Sequence, residues 1–573
     1  MKQSLKKFIF LIYFASALTS IISLFITSTD KAFNFRWLSF SYYLFSILLL
    51  PLYIFIQRIR QLKKAKLLTL IYDNKEFIFL LLGAIFISFF VLKEYPFISL
   101  GDQVRDGGLN AYQILKGGIL NLFDYGRYKS HGLIIPEITS FFYLIFANSV
   151  YTYRVAAAIT SILDIIILYY GILKYSNKKV AFWGAIILTT SYIHLFYART
   201  EIVVILSSLF TSIILVELLN IYKKPTFQNF ALLGLSMGFA TGLHASVRTV
   251  VFITMLLELV FLLYLFVNKN NKWQTLCLFL SLLLFYIIGF GPRILFTTPG
   301  IFLHTRTVVI SSFADVITKY INSLLLYGIK PILPMAFHYG DSVFLFPLFL
   351  GIFFIAGAFT IIINNQYRKF LPLIIYALIL PATNSAVTDC AYCSYRLLPL
   401  IPATSIIIGI GIVELLEIFE KLRKTRTIRL TRYLPKLCAV LLIVYFFIHA
   451  ILFFTTTSAS KGYNVQDYTS MHLIYALQKY KTKGSICLET SLNNNTYFSY
   501  LHIKEQYQYF LPNISTFLKI NPNFSDNILY ASRDCNFSGK FIKQVFCKKP
   551  ALFTCDYPGQ QPIYIFISNS ITR

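Results

Sequence analysis

The sequence predicts an all-α polytopic membrane protein that ends in a small extracytoplasmic α/β domain. Of its 573 residues, 57% are hydrophobic and 13% are charged, and the mean hydropathy is +0.66. Apolar runs of about 20 residues recur along most of the chain, and this is the length that an α-helix needs to cross a bilayer. One soluble core would not use so much apolar surface. The composition therefore excludes an ordinary soluble enzyme.

The apolar runs predict about thirteen transmembrane helices, which form a domain over residues 1–455. The predicted spans are residues 8–28, 38–57, 77–93, 152–173, 180–197, 202–221, 228–246, 249–267, 273–291, 343–363, 370–386, 397–418 and 435–455. The first span follows Lys6-Lys7 and contains Ala15-Ser16-Ala17, a pattern that also resembles a cleavable signal peptide. Because the apolar run continues to Thr27, an uncleaved anchor is the favoured interpretation.

A net charge of +28 can indicate a nucleic-acid partner or the orientation of a membrane protein. The positions of the basic residues along the chain distinguish these two interpretations. If the N-terminus is cytoplasmic, about 25 of the 52 Lys and Arg residues fall in short loops on the inner side. Seven of these lie between Lys421 and Lys436. The basic charge therefore orients the protein in the membrane, and we predict no nucleic-acid partner.

Residues Leu133–Ala147 are also apolar enough to lie in the membrane. An additional span there would move the later basic loops to the outer side, against the positive-inside rule. The segment is short for a span and carries Pro136 near its start. We therefore predict a re-entrant or interfacial helix on the outer face, within a first outer loop at about residues 94–151.

Beyond residue 455 the chain becomes polar, and parity places residues 456–573 on the outer side of the membrane, in a periplasm or a lumen. Short β-like runs at residues 485–488, 541–546 and 563–567 predict strands. In an oxidising compartment, two disulfides are favoured over a zinc site, because no Cys-x-x-Cys pair occurs in this domain. The four cysteines are Cys487, Cys535, Cys547 and Cys555.

Charged residues collect on the predicted outer side, where the positive-inside rule does not explain them. They are Asp102, Arg105, Asp106, Lys129, His131, Arg199, Glu201, His244, Arg248, Arg293, Arg306 and Arg396. Charge in or beside the membrane is costly and usually functional. Arginines beside carboxylates suit a site that binds an anionic headgroup and removes a proton.

Four segments, by their order and spacing, resemble the dolichyl-phosphate-mannose protein mannosyltransferase superfamily. They are the loop with Asp102, residues 155–170, residues 180–201 ending in Tyr-Ala-Arg-Thr-Glu, and residues 395–402, Tyr-Arg-Leu-Leu-Pro-Leu-Ile-Pro. The superfamily includes bacterial undecaprenyl-phosphate-sugar transferases such as the lipid A aminoarabinose transferases. The resemblance implies the GT-C fold, in which a first outer loop holds an acidic motif.

The resemblance also implies an inverting glycosyltransferase that moves a hexosyl or pentosyl group from polyprenyl (undecaprenyl) phosphate to lipid A, another glycan or a protein. Asp102 is the predicted base. Because Gln103 stands where the family often has Glu, a second catalytic carboxylate is either absent or supplied by Asp106. The predicted donor phosphate ligands are Arg396, Arg199, Lys129 and Arg293, and the predicted substrate contacts are Glu201, His131, His244 and Arg105.

The predicted partners are membrane lipid, the polyprenyl-phosphate sugar and a glycolipid or protein acceptor, at the periplasmic face of a bacterial inner membrane. No cofactor is expected, because no His or Cys spacing makes a convincing metal site. The branches that the chain most resembles need not use a metal. His194 lies within an aromatic run and is assigned to packing.

Several alternatives stay open at this point. Arg293 follows a span and Pro292, so an interfacial snorkelling residue is an equal interpretation. Arg199 and Glu201 also suit a local ion pair that shapes a loop. A transporter or flippase of lipid-linked sugar, or a polysaccharide polymerase, would likewise show many spans and outer arginines. Transporters usually carry internal repeats, and no such duplication is visible in the sequence.

Overall fold

The computed structural model consists of helices between residues 2 and 456 and five short strands after them. It describes residues 2–30, 34–61, 75–90, 92, 110–115, 122–123, 134–146, 150–200, 202–268, 272–297, 312–326, 348–387, 394–425 and 434–456, together with the strands.

The first half of the chain forms twelve α-helices and a 3-10 helix among the described residues. They are α1 Lys2–Thr29, α2 Arg36–Gln61, α3 Lys75–Phe89, α4 Asn110–Leu115, α5 Ile134–Phe146, α6 Val150–Leu173, α7 Lys178–Thr190, α8 Tyr192–Thr200, α9 Ile202–Lys223, α10 Phe227–Thr241, α11 Ala245–Asn268, α12 Lys272–Phe290 and the 3-10 helix Gly291–Phe296.

The second half continues in the same way to the end of the helical part. Its described helices are α13 Phe313–Leu325, α14 Leu348–Ile363, the 3-10 helix Arg368–Phe370, α15 Leu371–Pro381, a π-helix Ala382–Ala386, α16 Ser394–Leu397, α17 Leu400–Thr425 and α18 Leu434–Thr456.

Among the described residues, seven helices are long and apolar enough to cross a membrane, and two bent pairs raise the number to as many as nine. This confirms a multi-pass, mainly helical membrane protein. A helix overlaps each of the thirteen predicted spans, but several, such as α3 and α10 with 15 residues each, are shorter than a full crossing. The count of thirteen spans stays a prediction.

The predicted span 180–197 is two helices, α7 and α8, which meet at Ser191 with a bend of 60°. The hydroxyls of Thr189 and Thr190 donate to the carbonyls of Ala185 and Ile186, four residues earlier. Side-chain bonds of this kind compete with the helix ladder and bend helices. A run of three hydroxyl residues therefore explains why the helix turns here.

The short apolar segment within the predicted first outer loop is a helix, α5, as the sequence predicts. Its 13 residues span about 20 Å, less than the thickness of the hydrocarbon core, so α5 is too short to cross it. Its re-entrant or interfacial position stays a prediction. It packs against α4 and α6.

Helices α10 and α12 pack with their backbones in close approach. A Cβ at Gly234 or Gly238 would collide with the backbone carbonyls of Leu282 and Tyr286. The two glycines are four residues apart, the spacing of the small-residue motif by which membrane helices pack closely. This pairing places the C-terminal ends of α10 and α12 side by side.

Helix α13 is an element that the sequence analysis does not predict, because its 13 residues are too few for a span. Ser312 caps its first turn by accepting a hydrogen bond from the backbone N–H of Asp315 at 3.1 Å. The helix packs against the π-helix, and Phe313, Ile317 and Ile321, at four-residue spacing, are exposed.

The five strands form one sheet in the order β2-β1-β3-β5-β4, with β1 Ser485–Leu488, β2 Phe510–Leu511, β3 Ile528–Ser532, β4 Ala551–Phe553 and β5 Ile563–Ile567. β1 runs parallel to β2 and β3, whereas β5 runs antiparallel to β3 and β4. Two predicted strands occur at the predicted residues, and the third, 541–546, lies outside the described residues. The helical part of the α/β domain stays a prediction.

Candidate functional site

Four of the ten predicted site residues lie in the part of the chain that the structure describes: Arg199, His244, Arg293 and Arg396. The other six lie outside the described residues, namely Asp102, Arg105, Asp106, Lys129, His131 and Glu201.

Arg293 is fully buried in an aromatic surround at the end of α12. Its Nη1 donates to the hydroxyl of Tyr43 at 2.7 Å, and its guanidinium carbon lies 5.0 Å from the Tyr43 ring centre. The rings of Phe123 and Phe239 lie 5.8 and 5.9 Å from the same carbon. Ring faces attract cations. These contacts hold the guanidinium inside the protein, which contradicts a snorkelling role.

The local backbone explains how Arg293 reaches this position. Gly291 has a φ of 58°, a left-handed conformation that glycine adopts without strain. A Cβ at Gly291 would collide with the ring of Tyr43. Tyr43 is itself held by a hydrogen bond of 2.7 Å that its hydroxyl donates to the carbonyl of Gly289. The glycine thus lets the 3-10 helix begin directly against Tyr43.

Glu137 of α5 lies within the electrostatic reach of Arg293 and was missed in the sequence analysis. Its side chain is buried, and neither carboxylate oxygen has a hydrogen-bond partner among the described residues. Burial raises the pKa of the Glu137 carboxyl well above its usual range, and the positive charge of Arg293 lowers it in part. The available signal was a single carboxylate in an otherwise apolar segment beside the first outer loop.

A second cluster joins His244, Tyr395 and Arg396. The His244 ring meets the Tyr395 ring edge-on, with 5.6 Å between centres and an angle of 85°. The guanidinium carbon of Arg396 lies 5.5 Å from the centre of the same Tyr395 ring. Nδ1 of His244 lies 2.8 Å from the hydroxyl of Ser246. The structure therefore brings two predicted site residues, His244 and Arg396, into contact with the same tyrosine ring.

Asn384 in the π-helix holds this cluster together. Its amide nitrogen donates to the carbonyls of Ser246 at 3.1 Å and Arg396 at 2.9 Å, and its amide oxygen accepts from the Thr249 hydroxyl at 2.8 Å. π-Helical turns are rare and occur frequently at functional sites. Asn384 was not singled out from the sequence, since an isolated asparagine in an apolar run carries no distinctive signal.

The turn between α10 and α11, residues 242–244, connects the two clusters. A Cβ at Gly242 would lie 2.7 Å from Cδ of Arg293, and His244 follows two residues later. Arg248 stabilises the turn by donating hydrogen bonds to the carbonyl oxygens of Thr241 at 3.1 Å and Leu243 at 3.3 Å. Arg293, Arg248 and His244 thus border one turn, and Arg396 lies against the Tyr395 ring that His244 also contacts. This end of the bundle suits an anionic ligand.

Arg199 has a different position from the one its predicted role requires. It is fully buried, and it donates to the carbonyls of Ile87 at 2.5 Å, Ser88 at 3.0 Å and Phe90 at 2.6 Å, at the C-terminal end of α3. Positive charge at this end of a helix is stabilising. The contacts give Arg199 a structural role through backbone carbonyls, and its contact with a donor phosphate stays a prediction.

Arg154 supports the same stretch of chain. It is fully buried and its Nη1 donates to the carbonyl of Leu92 at 3.0 Å. Residue 92 lies just before the first outer loop, which carries Asp102. Two buried arginines therefore hold residues between 87 and 92, which precede the loop that contains the predicted base.

His194 is more than a packing residue, which corrects the sequence-based assignment. Its Nε2 lies 3.2 Å from a carboxylate oxygen of Asp164, and the hydroxyl of Ser212 donates to the other oxygen at 2.5 Å. All three side chains are buried and link α6, α8 and α9. Among the described residues, no group of three His, Cys, Asp or Glu side chains is placed to hold a metal ion.

Comparisons with known proteins identify the fold. No protein-family model matches the chain, and no curated protein matches it in sequence. The structure of ArnT from Cupriavidus metallidurans bound to undecaprenyl phosphate is similar, with 13% identity and a TM-score of 0.50, over 86% of this chain and 98% of that one.

Two further structures are similar at lower scores. ArnT from Cupriavidus metallidurans in the apo state has 13% identity and a TM-score of 0.47, over 87% of this chain and 99% of that one. The Archaeoglobus fulgidus oligosaccharyltransferase in the apo form has 14% identity and a TM-score of 0.38, over 76% and 64%. At these identities the likeness to undecaprenyl phosphate-bound ArnT establishes the fold alone: the chain has the GT-C fold that the resemblance implied.

Proposed function

We propose that this protein is a GT-C glycosyltransferase that moves a sugar from polyprenyl (undecaprenyl) phosphate to an acceptor. The observation that carries the proposal is the buried Arg293, which lies beside the turn that also carries His244. His244 and Arg396 in turn contact the same Tyr395 ring. This arginine-bordered turn lies in a chain with the fold of ArnT, a protein whose structure contains undecaprenyl phosphate. An anionic lipid headgroup is the ligand that these cations suit best.

The chemistry of the transfer accounts for the residue types. The leaving group is a phosphate, which gains charge as the glycosidic bond breaks, so fixed cations stabilise the transition state. The planar fork of arginine can bind two phosphate oxygens at once. The acceptor hydroxyl must lose a proton, and a carboxylate is a suitable base. Attack from the face opposite the phosphate inverts the anomeric carbon.

In this proposal, Arg293 and Arg396 bind the donor phosphate, and His244 with Tyr395 lies along the sugar. Asp102 removes the proton from the acceptor, and Asp106 assists it. Arg154 and Arg199 hold the residues that precede the loop on which Asp102 lies. Lys129, His131, Arg105 and Glu201 complete the proposed substrate contacts.

We assign the site to the periplasmic face of a bacterial inner membrane and the C-terminal domain to the same side. The acceptor is lipid A, another glycan or a protein hydroxyl, and the transferred group is a hexosyl or pentosyl residue. No metal is needed in this mechanism, because arginines supply the positive charge at the phosphate.

The test is transfer of radiolabelled sugar from polyprenyl-phosphate donors to endogenous acceptors in membranes. Asp102→Asn removes the charge of the proposed base and keeps its shape. Asp315→Asn is the matched control, since Asp315 pairs with Lys319 at 2.7 Å on the partly exposed helix α13. Wild type and the control should label an acceptor fraction, and Asp102→Asn should not, at equal amounts in the membrane. Equal labelling by Asp102→Asn would contradict the mechanism.

A transporter of lipid-linked sugar is the second candidate, and the two bent helix pairs favour it. The pair 178–200 bends by 60° and the pair 350–384 by 116°, and broken helices are typical of transporter binding sites. Movement of labelled lipid-linked sugar across reconstituted vesicles, without transfer to any acceptor, would establish this function instead.

A further inference from the structure

Two lysines meet at one tyrosine ring, at the end of the bundle opposite the candidate site. Lys174 directly follows α6, and Lys223 is the last residue of α9. The ammonium nitrogen of each lysine lies 5.3 Å from the centre of the Tyr175 ring. The two nitrogens are therefore no farther apart than the sum of these distances. Both lysines are exposed.

Hydrogen bonds fix the ring to which both lysines are attracted. The Tyr175 hydroxyl and the Lys174 ammonium both donate to the side-chain oxygen of Asn220, which precedes Lys223 on α9. The side-chain nitrogen of Asn220 donates to a carboxylate oxygen of Glu217 at 2.9 Å. Ring faces attract cations, so the fixed ring holds the two ammonium groups near each other. The positions of both groups are therefore set by neighbouring side chains.

Positive charge exceeds negative charge around this ring. The 3-10 helix Arg368–Phe370 packs against α9 and brings Lys369, which is also exposed, to the same end of the bundle. Neither Lys223 nor Lys369 forms an ion pair with a carboxylate of the described residues. Glu217 supplies one negative charge beside Asn220. Like charges that are held near each other repel, and a bound anion removes this repulsion.

Apolar side chains border the lysines on the side of the membrane core. Tyr170 lies one helical turn before Lys174 on α6, and 39% of its surface is exposed. Leu371, which begins α15 two residues after Lys369, is also exposed. An inorganic anion gains nothing from apolar neighbours, whereas a lipid places its acyl chains against them. Exposed cations at helix ends together with exposed apolar side chains therefore suit a phospholipid.

We propose that Lys174 and Lys223 bind the phosphate headgroup of an anionic phospholipid in the leaflet at this end of the bundle, with Lys369 beside them and acyl chains against Tyr170. Basic pockets between membrane helices bind anionic headgroups in this way. The site is separate from the one proposed for the polyprenyl phosphate, and the inference does not depend on the proposed function. By contacting both lysines, the bound lipid links α6 to α9 at their ends.

The experiment measures dissociation constants of phospholipids for the full chain in detergent by native mass spectrometry. The probes are short-chain phosphatidylglycerol, which is anionic, phosphatidylcholine with the same chains, which is neutral overall, and inorganic phosphate as a competitor. Wild type is compared with the double variant Lys174→Gln/Lys223→Gln, which removes both charges and keeps most of each side chain. Lys272→Gln is the matched control. Lys272 is exposed and lies 5.3 Å from the centre of the Phe266 ring, which meets no second lysine among the described residues.

Wild type should bind phosphatidylglycerol at least about tenfold more tightly than phosphatidylcholine, a comparison that needs no substituted protein. A lysine near an anionic lipid contributes about fivefold in affinity, so the double variant should bind phosphatidylglycerol about 25-fold more weakly. Lys272→Gln should match wild type.

Three results would overturn the inference: equal affinity of wild type for the two lipids, unchanged binding by a folded double variant, or an equal loss of binding in Lys272→Gln. Displacement of phosphatidylglycerol by inorganic phosphate at equal concentration would overturn it too, because the site would then bind free anions and not a lipid.

Discussion

At the scale of the residue, the surroundings of a side chain decide its role more than its type does. Arg199 and Arg293 are both fully buried arginines of the predicted outer face. Arg199 donates to three backbone carbonyls, whereas Arg293 lies among three aromatic rings. The first arrangement supports a helix end, and the second suits a guanidinium that can receive a phosphate.

The substitution Arg293→Lys tests whether Arg293 binds phosphate through its guanidinium group or is only an interfacial positive charge. Lysine keeps the charge and can snorkel, but it lacks the planar fork and binds phosphate as a point charge. We expect at least a tenfold loss of sugar transfer, corresponding to about 1.4 kcal/mol or more, at unchanged amounts in the membrane. Transfer at the wild-type rate would show that Arg293 does not recognise the phosphate through its fork.

Gly291→Ala tests the backbone that presents Arg293. An alanine at φ 58° costs about 1–2 kcal/mol, and its Cβ also collides with Tyr43. We expect a lower melting temperature and reduced transfer. Gly83→Ala in α3 is the matched control, because a Cβ there meets nothing within 4 Å. Equal melting temperatures for both variants would be inconsistent with a strained Gly291.

At the scale of the element, the ends of helices build the site. The C-terminal ends of α10 and α12, the N-terminal end of α11 and the π-helix all reach the turn at residues 242–244. The sequence predicted where most of these helices occur, since hydropathy averaged over a span is a local property. It did not predict the break at Ser191 or helix α13. The helices on either side of the break, and α13 itself, are shorter than the length of chain over which hydropathy is averaged.

Arg199→Lys tests whether Arg199 supports a helix end or binds the donor. Lysine has fewer donors, so at least one of the three carbonyls at the end of α3 loses its partner. We expect a loss of about 1–3 kcal/mol of stability, seen as a lower melting temperature in detergent, with little change in farnesyl phosphate affinity for the folded protein. Unchanged stability with weakened phosphate binding would favour the predicted donor contact.

At the scale of the whole molecule, the two ends of the helix bundle differ in the charged residues that they carry. The arginines of the site lie at one end of the bundle, and α9 and α14 end near basic residues such as Lys223 and Arg368 at the other. From the positive-inside rule we expect the second end to lie in the cytoplasm. The fold likeness to ArnT covers 86% of the chain, which includes most of this bundle.

Labelling of single cysteines in intact cells tests this orientation. In a background with the eight native cysteines replaced, Asp315→Cys should react with a membrane-impermeant maleimide, and Lys224→Cys should react only after the cells are opened. Both residues are exposed or partly exposed and lie near opposite ends of the bundle. The reverse pattern would place the proposed site in the cytoplasm.

The membrane class, the distribution of basic charge and the residue types of the proposed site can all be read from the amino-acid sequence. These are properties of composition and of runs of about 20 residues, which need no long-range contact. The roles of individual arginines depend instead on contacts between distant parts of the chain. Arg293 meets Tyr43 across 250 residues and Arg199 meets Ile87 across 112. Whether an arginine binds a carbonyl, a ring or a carboxylate depends on such distant neighbours, and no local pattern encodes them.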